Sequence, residues 1–120
     1  MELISELVDI ERKARRMLRE QRLDPEEVYA LVERFFIAMA RYASPRLYRD
    51  AEKKGLWNIE DLDNAVDRVV DMLGRSHEVL ELWEMAWELR LGQGEDPQRV
   101  LETLIAVVEK SMRRVKLKLR

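Results

Sequence analysis

The stretch from Ser76 to Leu91 reads SHEVLELWEMAWELRL, and its apolar side chains fall on two faces of a helix with 3.6 residues per turn. One face carries Val79, Leu82, Trp83, Ala86 and Leu89, and another carries Leu80, Trp87 and Leu91. The narrow stripe left for water is formed by Glu78, Glu81 and Glu88. The pattern therefore predicts a central helix that neighbouring helices cover from two sides.

Other segments carry apolar residues at helical spacing, and punctuating residues mark their ends. Asp24-Pro25 and Asp96-Pro97 are both start signals, because Asp can cap free N–H groups and Pro suits the first helical position. Pro45 predicts a break in the second segment. We expect an all-α fold, an up-and-down bundle of four to five helices in one domain over residues 1–120, with helices near 2–22, 25–54 with a break, 59–73, 76–91 and 97–116.

Several finer features of the helix ends are also expected. Glu27 is placed to complete a capping box with Asp24. The segment 115–120 alternates apolar and basic residues, which is a strand period, but six residues are too few to decide between strand and helix. Side-chain caps at the other helix starts are expected from Ser44, Asn58 and Ser76.

The composition limits the classes of protein that fit. In 120 residues there is no cysteine, which excludes disulfides, thiolate catalysis and cysteine-ligated metal sites. No run of 18 or more apolar residues exists and acids interrupt the first apolar stretch, so we expect a cytoplasmic protein with no signal peptide and no membrane contact. Charged residues make up 38% of the chain and are rich in Arg and Glu, a composition typical of thermophile surfaces.

Acidic residues cluster on two neighbouring helical segments, and carboxylates one turn apart can bind Mg²⁺ in helical enzymes. The two clusters are Glu78, Glu81, Glu84 and Glu88 on one segment, and Glu60, Asp61, Asp63, Asp67 and Asp71 on the other. The paired-acid signature of helical nucleotide pyrophosphatases is missing. Solvated polar faces are the simpler interpretation, and we predict no metal site and no cofactor.

His77 is the only histidine, so any imidazole chemistry depends on it, and Arg75 lies two residues before it. An Arg that binds a phosphate and a His that acts as acid or base would suit RNA cleavage. A surface or capping histidine is the simpler interpretation. Arg75 and His77 are therefore weak catalytic candidates, and an enzyme is not the favoured prediction.

The end of the chain is strongly basic. Lys110, Arg113, Arg114, Lys116 and Lys118 could form a phosphate-binding surface with Arg12, Lys13, Arg15, Arg16 and Arg19, if the first and last helices lie side by side. The net charge of −2 opposes a dedicated nucleic-acid protein. A basic last turn also complements a helix dipole, so both interpretations stay open.

The central segment offers more apolar surface than one small bundle needs. Trp83, Trp87, Leu80 and Leu91 are the candidate interface residues, because an exposed aromatic patch on a monomer promotes association. The alternative is a core that wraps this helix on all sides. A homodimer and a fully wrapped helix are equally compatible with the pattern.

From Leu62 onward, a set of apolar and glycine positions follows a recurring order. These positions are Leu73-Gly74, Trp83 with Ala86, Gly92 to Gly94, and Val100 with Val107 and Val108. In this half the chain resembles the archaeal PaREP-type families, small helical proteins grouped with the HEPN superfamily. The resemblance implies a bundle of four or five helices, dimerisation, and work beside a nucleotidyltransferase or on RNA, as in toxin–antitoxin pairs.

Active HEPN ribonucleases carry an Arg and a His separated by four to six residues. Here Arg68 and His77 are too far apart, and Arg75 and His77 are too close. The resemblance therefore implies a non-catalytic, antitoxin-like member. We predict a non-enzymatic protein-interaction module that forms a homodimer or binds another protein, and an RNA-binding or RNA-cleaving HEPN-type protein is the alternative.

Overall fold

Six α-helices form the part of the chain that the structure, a computed structural model, describes: residues 2–118, with side chains through Lys116. They are α1 (Glu2–Arg19), α2 (Pro25–Ala43), α3 (Pro45–Lys54), α4 (Ile59–Met72), α5 (His77–Arg90) and α6 (Pro97–Lys118). The all-α prediction is confirmed. The number of helices exceeds the predicted four to five because the break at Pro45 is complete, with Ser44 alone separating α2 from α3.

The central helix is α2, and the prediction that α5 occupies this place is wrong. α2 contacts each of the other five helices, whereas α5 contacts only α2, α4 and α6. The sequence signal is a pair of adjacent apolar residues in every turn of α2, which widens its buried face to about half of the circumference. These pairs are Val28 and Tyr29, Leu31 and Val32, Phe35 and Phe36, and Met39 and Ala40, all of which are buried.

The outer helices surround α2 in the order α1, α6, α5, α4 and α3, each in contact with the next. α1 and α2 are antiparallel, since Glu2 pairs with Arg41 and Glu6 with Arg34. α6 packs against α1, where Arg15 bonds Glu109 at 2.7 Å. Among the described residues α1 and α3 do not contact each other, so the ring around α2 has a gap between them.

Of the predicted side-chain caps, those of Asn58 and Asp96 are confirmed and those of Asp24, Ser44 and Ser76 are absent. Asp24 makes no side-chain cap, and Glu27 pairs with Arg22 at 3.2 Å instead of closing a capping box. Ser44 and Ser76 occupy N-cap positions, also without side-chain cap bonds. The capping box is found at α4, where Asn58 Oδ1 accepts from the Asp61 N–H at 2.8 Å and Asp61 accepts from the Asn58 N–H. Asp96 does cap α6, accepting from the Gln98 N–H at 3.0 Å.

The end of the chain continues α6 as helix through Lys118, so the alternating pattern from Val115 does not mark a strand there. Val115 is fully buried and belongs to the helical face of α6. Leu119 and Arg120 lie outside the described residues. Of the helices between residues 2 and 118, none has the length and apolar character that crossing a membrane requires.

Candidate interaction surfaces

Trp83 lies in the core and not on the predicted interface. Its side chain is 7% exposed, and its ring centroid lies 5.6 Å from that of Phe36 and 6.0 Å from that of Tyr29. Its indole Nε1–H donates to Asp63 Oδ1 on α4 at 3.1 Å, which satisfies the polar end of the ring. Trp83 therefore links α5 to α2 and α4 and is not available to a partner.

Trp87, one turn later, is half-buried at the edge of this aromatic cluster. Its ring lies 6.2 Å from Trp83 and 6.3 Å from Tyr29. The Arg90 guanidinium lies 4.8 Å from the Tyr29 ring centroid and 5.5 Å from that of Trp87, within cation–π range. Burial, reinforced by the Glu33 carboxylate, raises the pKa of Tyr29, so this phenol stays neutral beside Arg90.

Among the described residues, the large apolar side chains left exposed are Leu56 (65%), Leu91 (53%), Ile59 (45%) and Leu80 (38%). Three of them lie at one end of the α4/α5 pair. α4 and α5 are in contact and are joined by the short turn 73–76, so they run antiparallel. The hydrogen bond from Trp83 to Asp63 shows which residues of the two helices lie side by side. Ile59, four residues before Asp63, is then level with Trp87, four residues after Trp83.

By the same spacing, Leu91 lies level with the turn that carries Leu56. We call Leu56, Ile59, Trp87 and Leu91 the apolar end patch. Leu80 lies about two turns away from Trp87 along α5, toward the other end of the helix. Of the four predicted interface residues, the structure thus leaves Trp87 and Leu91 together in this patch, with Leu80 apart and Trp83 inside the core.

Acidic side chains surround the apolar end patch. Glu60 follows Ile59 on α4, and Glu84 and Glu88 flank Trp87 on the outer face of α5, all three of them exposed. None of these carboxylates forms an ion pair with another described residue. The Arg90 guanidinium, 5.5 Å from the Trp87 ring centroid, offsets part of this charge. The patch is therefore apolar at its centre, and at its rim these three carboxylates outnumber that guanidinium.

The predicted basic residues of α6 line a groove at the opposite end of the α4/α5 pair. Lys110, Arg113 and Arg114 form one wall, and Leu73 and Gly74 at the end of α4 form the other, enclosing about 290 Å³. The three cations make no ion pair with a described residue. We call this the basic groove.

The other basic residues predicted for nucleic-acid binding do not line the basic groove. Lys116 is exposed on α6 outside the lining of the basic groove, and the side chain of Lys118 lies outside the described part of the structure. α1 does pack beside α6, as the nucleic-acid hypothesis required. However, Arg15 pairs with Glu11 and with Glu109 of α6, which lowers the positive charge where the two helices meet.

The weak catalytic candidates lie beside this groove. Arg75 follows Gly74 directly and is exposed, with a left-handed backbone φ of 59°, and His77 is exposed at the first position of α5. Neither side chain hydrogen-bonds to any residue between 2 and 116. The structure brings Arg75 and His77 to the basic end of the molecule without joining them into a catalytic pair.

A further cavity occupies the gap in the ring around α2, and the sequence did not indicate it. It measures about 400 Å³ between α1, α2 and α3, with an apolar floor that includes Ile37 and Ala38. Arg34 and Arg41 lie in it, but both are held by carboxylates of α1, which raise their pKa values. Since its arginines are already paired, the cavity has few polar groups free for a ligand.

The two acidic clusters do not converge on a cation site. Asp61 is bonded to Lys54 at 2.8 Å, Glu81 to Arg99 at 2.9 Å, and Asp63 to the Trp83 indole. Within the described part of the chain, no group of three or more His, Asp or Glu side chains is arranged to hold a metal ion.

Comparison with known proteins adds no assignment, because no family model, curated protein or solved structure matches this chain. The resemblance to PaREP-type and HEPN proteins stays a prediction. The candidate surfaces therefore rest on the geometry alone.

Proposed function

We propose that this chain is a non-enzymatic protein-interaction module that self-associates, with a dimer as the smallest assembly, through the apolar end patch. The observation that carries the proposal is the collection of Leu56, Ile59 and Leu91 at one end of the α4/α5 pair, beside half-buried Trp87. Single exposed apolar residues are common on protein surfaces, but several at the same end of a helix pair favour association, because burying them removes apolar area from water.

The association is expected to be weak. A standard stable interface covers about 800 Å² on each partner. Four side chains, of which Trp87 is already half-buried, supply only part of that area. The test is therefore sedimentation equilibrium or light scattering over a concentration series from about 10 µM to about 1 mM, a range that reports weak dissociation constants.

The informative variant is Leu56→Ser with Leu91→Ser, which removes apolar surface from exposed positions and leaves the core intact. We expect the wild-type mass to rise with concentration and the variant to stay monomeric. The matched control is Ala106→Ser on exposed α6, which should associate as the wild type does. A wild-type chain that is monomeric at every concentration, or a double variant that associates equally well, would overturn the proposal.

A second candidate function is RNA binding at the basic groove, favoured by the three cations there that no described carboxylate neutralises. This function would agree with the HEPN-type resemblance. Titration of a mixed-sequence RNA at low and high salt tests it, with Arg113→Glu/Arg114→Glu as the variant and Arg46→Glu/Arg49→Glu on α3, both exposed, as the charge-matched control. Salt-sensitive binding lost only in the α6 variant would support it, and binding by neither wild type nor variant would exclude it.

A further inference from the structure

The two candidate surfaces lie at opposite ends of the α4/α5 pair and carry opposite charge. The apolar end patch is where α4 begins and α5 ends, and the basic groove is where α4 ends. α5 spans 14 residues between the two ends, which is about 20 Å at 1.5 Å per residue. One end offers apolar side chains with a carboxylate rim, and the other offers a cluster of cations.

Joining two identical patches face to face would bring carboxylates together. A two-fold interface places the same patch of each copy face to face, so Glu60, Glu84 and Glu88 of one copy would meet the same three carboxylates of the other, with only Arg90 beside Trp87 on each side to offset them. Like charges facing each other in a partly desolvated interface are destabilising. The carboxylate rim therefore opposes a symmetric dimer through the apolar end patch.

The basic groove is complementary to the patch in charge. Lys110, Arg113 and Arg114 can pair with the carboxylate rim, and their aliphatic stems can cover part of the apolar centre, whereas Leu73 is only 5% exposed and adds little apolar contact. RNA also matches the charge of this groove, but it would leave the apolar end patch in water, whereas a second copy engages both surfaces.

Building on the self-association proposed above, we infer that the occupant of the apolar end patch is the basic groove of a second copy, so that copies join head to tail. Such a contact uses two different surfaces and leaves one of each free on every dimer. Growth then continues until a ring closes or a filament forms. Salt should weaken this contact, since screening shortens the reach of charges from about 10 Å at 0.1 M to about 3 Å at 1 M.

A charge-swap set of full-length variants tests the pairing. The patch variant is Glu84→Lys/Glu88→Lys, the groove variant is Arg113→Glu/Arg114→Glu, and the third chain carries all four substitutions. All four positions are exposed, so folding should be unaffected, and circular dichroism checks this. The masses are measured by light scattering at low and high salt over the same concentration series.

We expect the dissociation constant of each single-end variant to rise at least tenfold. The four-substitution chain should recover the wild-type value, because the charges on both sides of the contact are exchanged. An equimolar mixture of the two single-end variants should also co-assemble. The head-to-tail inference would be overturned if wild-type association became stronger with salt and the groove variant associated as the wild type does. In that case, loss of association in Leu56→Ser/Leu91→Ser would still support self-association through the apolar end patch. A groove variant that loses RNA binding but keeps the wild-type mass would assign the groove to RNA and also overturn the inference.

Discussion

Replacement of Trp83 by Phe tests whether this residue works inside the monomer or at an interface. The substitution removes the indole N–H that donates to Asp63 at 3.1 Å and leaves the ring three heavy atoms smaller beside Phe36 and Tyr29. A hydrogen bond to a partly hydrated carboxylate contributes about 1 kcal/mol. The lost ring atoms add about 2 kcal/mol, from the cost of deleting buried carbon groups that the core cannot refill.

Together these losses lower the free energy of unfolding by about 3 kcal/mol. For a chain of this size that is a fall in Tm of about 12 °C. Urea denaturation followed by far-UV circular dichroism measures the change without relying on tryptophan fluorescence. Because Trp83 is almost entirely buried, Trp83→Phe should leave self-association unaltered under conditions where the variant is folded.

A double-mutant cycle separates the hydrogen bond from the packing. Asp63→Ala should cost about 1 kcal/mol when Trp83 is present and close to nothing in the Trp83→Phe background. The matched control is Asp67→Ala, one turn further on exposed α4, which should change stability by no more than about 0.5 kcal/mol. A coupling energy below about 0.3 kcal/mol, or a variant that loses association but not stability, would refute the assignment of Trp83 to the core.

Three further perturbations test the fold. Phe36→Ala on the central helix should cost about 3–5 kcal/mol of unfolding free energy in urea titrations, whereas Leu80→Ala on exposed α5 should cost no more than about 0.5 kcal/mol; equal costs would contradict the central place of α2. The Lys54 ammonium lowers the pKa of Asp61, so this carboxylate stabilises the fold above its ordinary pKa near 4 and loses that effect as the pH falls through the lower, folded-state value. Asp61→Asn should therefore lower the urea midpoint at about pH 7 but not at about pH 2, and a loss independent of pH would exclude the ion pair as its cause. Gly74→Ala places a side chain at a φ of 75° in open space, so unfolding experiments should show a cost of about 1 kcal/mol from backbone strain alone, and no cost would mean that the turn relaxes.

The helix pattern could be predicted from the sequence because each helix carries its own periodicity and end signals. The Asp-Pro starts, the break at Pro45 and the glycine at position 55 located the helices within a few residues. The caps were harder, because a cap depends on which of several nearby partners a side chain finds. The spacing allows Glu27 to accept from the N–H at the start of its own helix, but its carboxylate pairs with Arg22 instead. Spacing alone does not decide between these two partners.

The arrangement of the helices was harder to predict from the sequence, because α2 and α5 both carry apolar residues on two faces and the pattern does not show which helices cover them. The adjacent apolar pairs of α2 cover a wider arc than the apolar residues of α5, and this difference could have identified the central helix. The basic groove could not be predicted from the sequence. Its walls at Gly74 and Lys110 are separated by the whole of α5, and only the return of α6 along the bundle brings them together.

The apolar residues of α5 lie partly in the core and partly at the surface, depending on which neighbouring helix covers them. The side facing α2 is filled by Trp83 and its aromatic partners, so it contributes to the stability of the monomer. The outer edge keeps Leu91 and part of Trp87 in water, although burial would be favourable. Within residues 2–118, the five helices around α2 leave this edge of α5 uncovered, and the self-association proposed above would cover it with a second copy.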